Sequence, residues 1–191
     1  MTYEEMTALV AAVLPGKRFV HSIRVAETAV LLAQCHQVDV VKARTAGILH
    51  DFCKAMPKEE QIALAVSHHL LTSEEDLRMP QVLHGPVASV VLKEKQIVEE
   101  NDILLAIRYH TTGCAHMDNL AKIIFIADYV EPGRITPNIT CFFEIAKTDL
   151  DGAMIAIIDQ TMRYLTENNK MIHIDMVRCR NRLLADARHI D

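Results

Sequence analysis

The chain has 191 residues, of which half are hydrophobic and 24% charged, with a formal net charge of −5. That length suffices for one buried core, and the acidic balance excludes a nucleic-acid polymer as the main ligand, because phosphate-backbone binding needs a basic surface. No apolar run reaches the roughly 18 residues of a membrane span, and acidic residues stand near the N-terminus where a signal peptide would carry positive charge, so a cytoplasmic protein is expected.

Only six glycines and six prolines, beside many Ala, Leu, Ile and Met, favour an all-α architecture. The five cysteines are scattered and form no CxxC pair, which fits reduced thiols better than a disulfide framework or a thiolate zinc site.

Residues 2–14 alternate polar and apolar positions at helical spacing until Pro15-Gly16. A second helix is expected from about Lys17 to His36, with Val20, Ile23, Ala26, Val30 and Leu31 facing inward. His21 lies in its first turns, and Arg18, three residues earlier, projects from the same side. Asp39 is the expected N-cap of the next helix, whose small residues Ala43, Ala46 and Gly47 permit close helix approach before His50-Asp51. Pro57 opens a short helix with acidic residues in its first turn. A further helix is expected to start at Thr72-Ser73 and to close at Pro80.

His84 stands at the entrance of the helix beginning with Gly85-Pro86, and Asn101-Asp102 starts a helix that ends at His110. Asp118 caps NLAKIIFIADYV, a buried helix ending near Asp128. Arg134 begins an irregular linker, and a short helix is expected over 141–147. Asp149 caps a long apolar helix, 149–167, that is also a candidate homodimer face. Asp175 starts the last helix. The whole, 1–191, reads as a single domain, with the site within about 18–134 and the helices of 149–187 packing on it.

His21, His50, Asp51 and Asp128 end successive apolar segments and together supply two imidazoles and two carboxylates. Divalent metals such as manganese or iron(II) accept that donor set and keep positions open for water and substrate. Adjacent His50 and Asp51 point about 100° apart on a helix, so both reach one ion only near a helix end, with the metal held between helices. Asp128 in an apolar run is informative because a buried carboxylate is costly unless paired or metal-bound. His84 and His110 sit where they can bind a second ion or phosphate oxygens, while Lys54 and Arg134 add the positive charge that a developing phosphoryl charge needs. His36, His68, His69, His116 and His189 are read as ordinary surface residues.

In order and approximate spacing, His21, His50-Asp51 and Asp128 match the H…HD…D signature of the HD-domain metal-dependent phosphohydrolases. The stretches RFVHSIRVAETA, GILHDFCK, LHGPVAS, IRYHTTG and IADYVEPGR extend the likeness over nearly the whole chain. It resembles the YqeK family, the HD-type symmetrical bis(5′-nucleosyl)-tetraphosphatases. The resemblance implies an all-α HD-domain helical bundle, a divalent metal centre of the iron type (with manganese or cobalt as alternatives, one or two ions) and hydrolysis of diadenosine tetraphosphate to two ADP. It implies His21, His50, Asp51 and Asp128 as metal ligands, with Asp51 and Lys54 as catalytic groups. Arg18, Lys54, His84, His110, Arg134 and His173 would contact substrate. Ile174 replaces the proline of the family pattern after His173, which alters the expected loop. Competing readings are an HD phosphohydrolase acting on a nucleoside mono- or triphosphate or a cyclic nucleotide, a non-catalytic nucleotide sensor, and a two-iron oxygenase.

Overall fold

The structure, a computed structural model, describes residues 1–188. His189 lies outside the described residues. Within them the chain is helical throughout and contains no strand, in the order α1 (Tyr3–Val13), α2 (Gly16–Cys35), α3 (Val40–Leu49), α4 (Lys58–Ser67), α5 (His84–Glu94), α6 (Asn101–Tyr109), α7 (Asn119–Val130), α8 (Ile139–Ala146), α9 (Leu150–Glu167) and α10 (Ile174–Arg188).

Local chemistry sets the helix starts. Thr2 and Glu5 close a reciprocal capping box on α1. Asp39 accepts from Val41 and Lys42, Asp118 from Ala121, and Asp149 from Gly152, so each satisfies amide groups that the helix itself cannot. The segment after Thr72 forms a 3₁₀ turn, Glu74–Arg78, and Pro80 opens a second one rather than closing a helix. Asp76 explains the tighter winding: its buried carboxylate accepts from Thr72 and Ser73, which draws the turn in on itself.

α7 is the axis. Eight of its residues from Leu120 to Val130 are buried, on every face, as a helix surrounded by others requires. It packs against α2, α3, α6, α8 and α9, and α5 closes on α6. α10 packs on α9, whose apolar residues Leu150, Ala153, Met154, Ile157 and Ile158 enter this chain's own core.

The inward face of α2 differs from the sequence expectation. Val20 and Leu31 are 44% and 52% exposed, whereas Ser22, Val25, Ala26, Ala29, Leu32 and Ala33 are buried. Close approach to α3 shapes this face: a Cβ at Gly47 would lie 2.6 Å from the Ala26 Cα, so only a small side chain fits at that contact, while Val25 and Leu32 enter the core and Val20 and Leu31 face outward. His36 is likewise no plain surface residue; its Nε2 is 2.6 Å from the Ala146 carbonyl, joining α2 to α8.

Candidate metal centre

Five helices deliver polar side chains to one buried point. α2 brings His21, the end of α3 brings His50 and Asp51, the start of α5 His84, the end of α6 His110, and the end of α7 Asp128. Three of the four histidines are oriented by the turn of backbone just before them, the last turn of α3 or α6 or, for His84, the 3₁₀ turn that precedes α5. Each donates its Nδ1–H to the carbonyl three residues earlier: His50 to Gly47 at 2.8 Å, His84 to Gln81 at 3.0 Å, and His110 to Ile107 at 2.7 Å. His21 lies inside α2, where carbonyls are already bonded, and its Nδ1 instead meets the buried carboxylate of Glu131 at 3.1 Å. In a neutral ring whose Nδ1 donates, Nε2 carries a lone pair. Four such lone pairs therefore converge.

Their surroundings are those of ligands lacking a hydrogen. The Nε2 atoms of His21 and His50 are buried without a hydrogen-bond partner, although His21 Nε2 stands 3.0 Å from Asp128 Oδ1; the two atoms are close but not aligned as donor and acceptor. The Nε2 atoms of His84 and His110 face each other at 2.9 Å, with Thr111 Oγ1 beside both. Asp51 joins the two groups. Its Oδ2 lies 3.8 Å from His21 and 3.7 Å from His50, and its Oδ1 lies 3.1 Å from His84 and 3.8 Å from His110. Buried polar atoms are rarely left unsatisfied. A divalent cation that takes nitrogen and oxygen donors satisfies these, and no cysteine enters any of the three ligand groups His21/His50/Asp51, His50/His110/Asp128 and Asp51/His84/His110.

The electrostatics favour the form that binds a cation. Burial lowers the proton affinity of His50, and it pushes His110 down to about 3 with help from the neighbouring rings. Burial alone would raise Asp51, but His50, His84 and His110 hold it well below the carboxylate range. Asp128 is lowered in the same way, burial being outweighed by His21, His50 and Arg134. His21 is the exception: burial pulls it down, yet the Asp128 and Glu131 carboxylates raise it overall. Asp128 is less enclosed than an apolar run predicts, with 21% of its side chain exposed.

Around this cluster Arg18 Nη1 contacts Asp51 Oδ2 at 3.0 Å, and Arg134 holds Asp128 through both its side-chain oxygen (2.5 Å) and its carbonyl (2.9 Å). Lys54 Nζ sits 3.2 Å from His84 Nε2, and burial lowers its pKa. His173 is set apart from these side chains. Its Nε2 meets Asp76 at 2.7 Å and its Nδ1 accepts from the Asp175 amide, so neither ring nitrogen is free. Two residues escaped sequence reasoning. Thr111, just past the end of α6, and Glu131, just past the end of α7, are not singled out as site residues by the sequence. The signal for Glu131 was present: it is a carboxylate three residues after Asp128, hence on the same side of the chain.

A scan against family models matches the HD domain over residues 18–133. This chain belongs to the HD-domain family. Two full-length relatives carry the name symmetrical bis(5′-nucleosyl)-tetraphosphatase. The Staphylococcus aureus protein is 36% identical, covering 95% of this chain and 94% of its own length, and the Halalkalibacterium halodurans protein is 38% identical over 94% and 96%. A crystal structure from Clostridium acetobutylicum, described as a predicted HD superfamily hydrolase involved in NAD metabolism, superposes with a TM-score of 0.93 at 34% identity, covering 97% of this chain and 98% of that one. In HD-domain terms, the His/Asp cluster between helices is the family's metal site, and among the described residues no helix is long and apolar enough to cross a membrane.

Proposed function

We propose that this chain hydrolyses diadenosine tetraphosphate symmetrically, giving two ADP. One observation carries the substrate: its relatives of that name align with it from end to end, at 36–38% identity. The chemistry rests on the cluster. His21, His50, Asp51 and Asp128 would hold a divalent metal, and the two-sided contacts of Asp51 support a second ion held by His84 and His110. Iron suits this mixed donor set, as do manganese and cobalt. When bound, such a metal lowers the pKa of a water and supplies hydroxide near neutral pH.

The chain's own residues do the rest. Water oxygen joins the phosphorus second from one nucleoside, the bond from that phosphorus to the bridging oxygen breaks, and the bridging oxygen leaves as the terminal phosphate oxygen of the other ADP. Asp51 faces the reacting region from both sides and orients the water. Lys54, Arg18 and Arg134 already lie against the carboxylates or His84, where their charge offsets that of the phosphates. His84 and His110 would bind phosphate oxygens where they do not bind metal. We assign His173 a contact with the nucleoside made through its loop, since its ring is held by Asp76. The free thiols of all five cysteines support a reducing, cytoplasmic setting.

Asp51→Asn tests the assignment. Removing its charge is expected to cut turnover by more than about a hundredfold and to reduce bound metal while the melting temperature stays within a few degrees. Unchanged metal content and turnover in the folded variant would remove Asp51 from the site.

A further inference from the structure

A cleft of about 830 Å³ opens beside the cluster, between the N-terminus of α2 and the loop after α7. That volume lies within the roughly 300–1,000 Å³ usual for small-molecule sites. Its chemistry is unlike the rest of this acidic chain. Lys17, Arg18, Arg24 and Arg134 line it together with His21 and one carboxylate, the buried Glu131 that His21 already engages. Arg18 and Arg134 connect it directly to the two site carboxylates, Asp51 and Asp128, whereas Lys17 and Arg24 form no ion pair among the described residues.

Pro15 caps α2 without a side-chain acceptor, and the first turn carries no acidic residue. The positive end of the helix dipole therefore adds to the cationic wall. Val20, 44% exposed, and the half-buried Phe19 supply an apolar strip along the same wall. Arg24 Nη1 lies over Gly133, only 2.0 Å from where a Cβ would stand, so the bare backbone at 133 is what lets the guanidinium reach across the cleft.

We propose that this cleft binds one nucleoside diphosphate half of the substrate, on the His21 side of the cluster. Lys17 and Arg24 would hold its phosphates, and Phe19 and Val20 its base or ribose. The inference rests on the hydrolase reading above and deepens it. Symmetrical cleavage demands that the four-phosphate chain be registered from a nucleoside end, and a cationic cleft with an apolar wall opening onto the cluster supplies that register.

The test is the double reversal Lys17→Glu/Arg24→Glu, two exposed positions outside the cluster, set beside the charge-preserving Lys17→Arg/Arg24→Lys. In the reversal, KM for diadenosine tetraphosphate and the inhibition constant of product ADP should both rise on the order of tenfold. The kcat should stay within about twofold, with metal content and melting temperature unchanged, and the charge-preserving variant should keep wild-type values. Unchanged KM and ADP inhibition in the reversal would overturn the proposal. Should wild-type protein fail to turn over the dinucleotide, the hydrolase reading falls by itself. The cleft is then judged by equilibrium dialysis with ADP, where equal binding by wild type and reversal would sink it and loss in the reversal would uphold it.

Discussion

Glu131 shows how far a single residue sets the chemistry of another. Its carboxylate meets His21 Nδ1 at 3.1 Å and accepts from the Gly133 amide, and that contact fixes which nitrogen of His21 faces the cluster. Outer partners of this kind are commonly worth about 10–100-fold in metal affinity. Glu131→Ala should therefore weaken metal binding by about that factor in a competition titration, and the ¹⁵N shifts of His21 should show mixed tautomers. Glu131→Gln keeps an acceptor for the Nδ1–H and should retain one tautomer with a smaller loss; identical behaviour of Ala and wild type would contradict the assignment. The lowered histidines make a second prediction, for metal-free protein. His50 and His110 stay neutral when folded but take up protons below about pH 6.5 when unfolded. The unfolded state thus binds more protons below about pH 6.5, for His110 down to about pH 3, and stability must fall as the pH drops from 6.5, by at most about 1.4 kcal/mol per pH unit for each ring. His21, raised by its carboxylates, acts in the opposite sense and in another window: its contribution is complete below its unfolded value and is lost on going alkaline through its folded one. Asp51 and Asp128, both lowered, keep their contributions until the pH falls beneath the ordinary carboxylate range. Urea titrations across the acid window check the sum, and a flat profile there would contradict the burial of these rings in neutral form.

At the scale of the element, the contact of α2 with α3 carries the geometry. A methyl group at Gly47 would meet the Ala26 backbone at 2.6 and 3.0 Å, and backbone cannot swing aside as a side-chain tip can. Gly47→Ala should cost about 1–3 kcal/mol of stability. Because the Gly47 carbonyl also anchors His50, metal affinity should fall with it; a thermal melt and a metal titration of the same variant read both. This contact also marks what the sequence could show. Helix starts were legible because capping is local: Thr2, Asp39, Asp118 and Asp149 act within three residues of themselves. The convergence of His21, His50, Asp51 and Asp128 was legible because their order is a family signature and because helix ends are marked by turn residues. The buried face of α2 was not, since hydrophobicity ranks Val20 and Leu31 above Ala29 and Ala33, while the decisive quantity is the space left by a helix that passes close by. Glu131 and Thr111 stayed hidden for a related reason. The spacing of Glu131 from Asp128 puts it on the right side of the chain, but which ring nitrogen or oxygen each of the two faces is not encoded by spacing. Asp76 winding the 72–78 segment into a 3₁₀ turn depends equally on a buried carboxylate gathering nearby amides.

Across the whole molecule, a chain of net charge −5 sets four of its cations, Lys17, Arg18, Arg24 and Arg134, along one cleft beside a buried His/Asp cluster. Five helices contribute to that cluster, each by an end or a turn rather than by its middle, save α2 with His21 and Glu131 behind it. The all-helical frame explains why so few residues suffice: turns at helix ends leave carbonyls that orient His50, His84 and His110, and Arg18 and Arg134 lie against the two carboxylates between the rings. The same frame, with α9 laid against α7 and α10 against α9, recurs in the Clostridium acetobutylicum structure, and the relatives that carry the tetraphosphatase name align with 94–95% of this chain in sequence. The most direct test of the account is product analysis. Protein purified anaerobically and loaded with iron is incubated with diadenosine tetraphosphate, and the nucleotides are separated by ion exchange. ADP as the only product is the result expected; AMP with ATP, or no turnover with iron, manganese or cobalt, would contradict symmetrical hydrolysis by this chain.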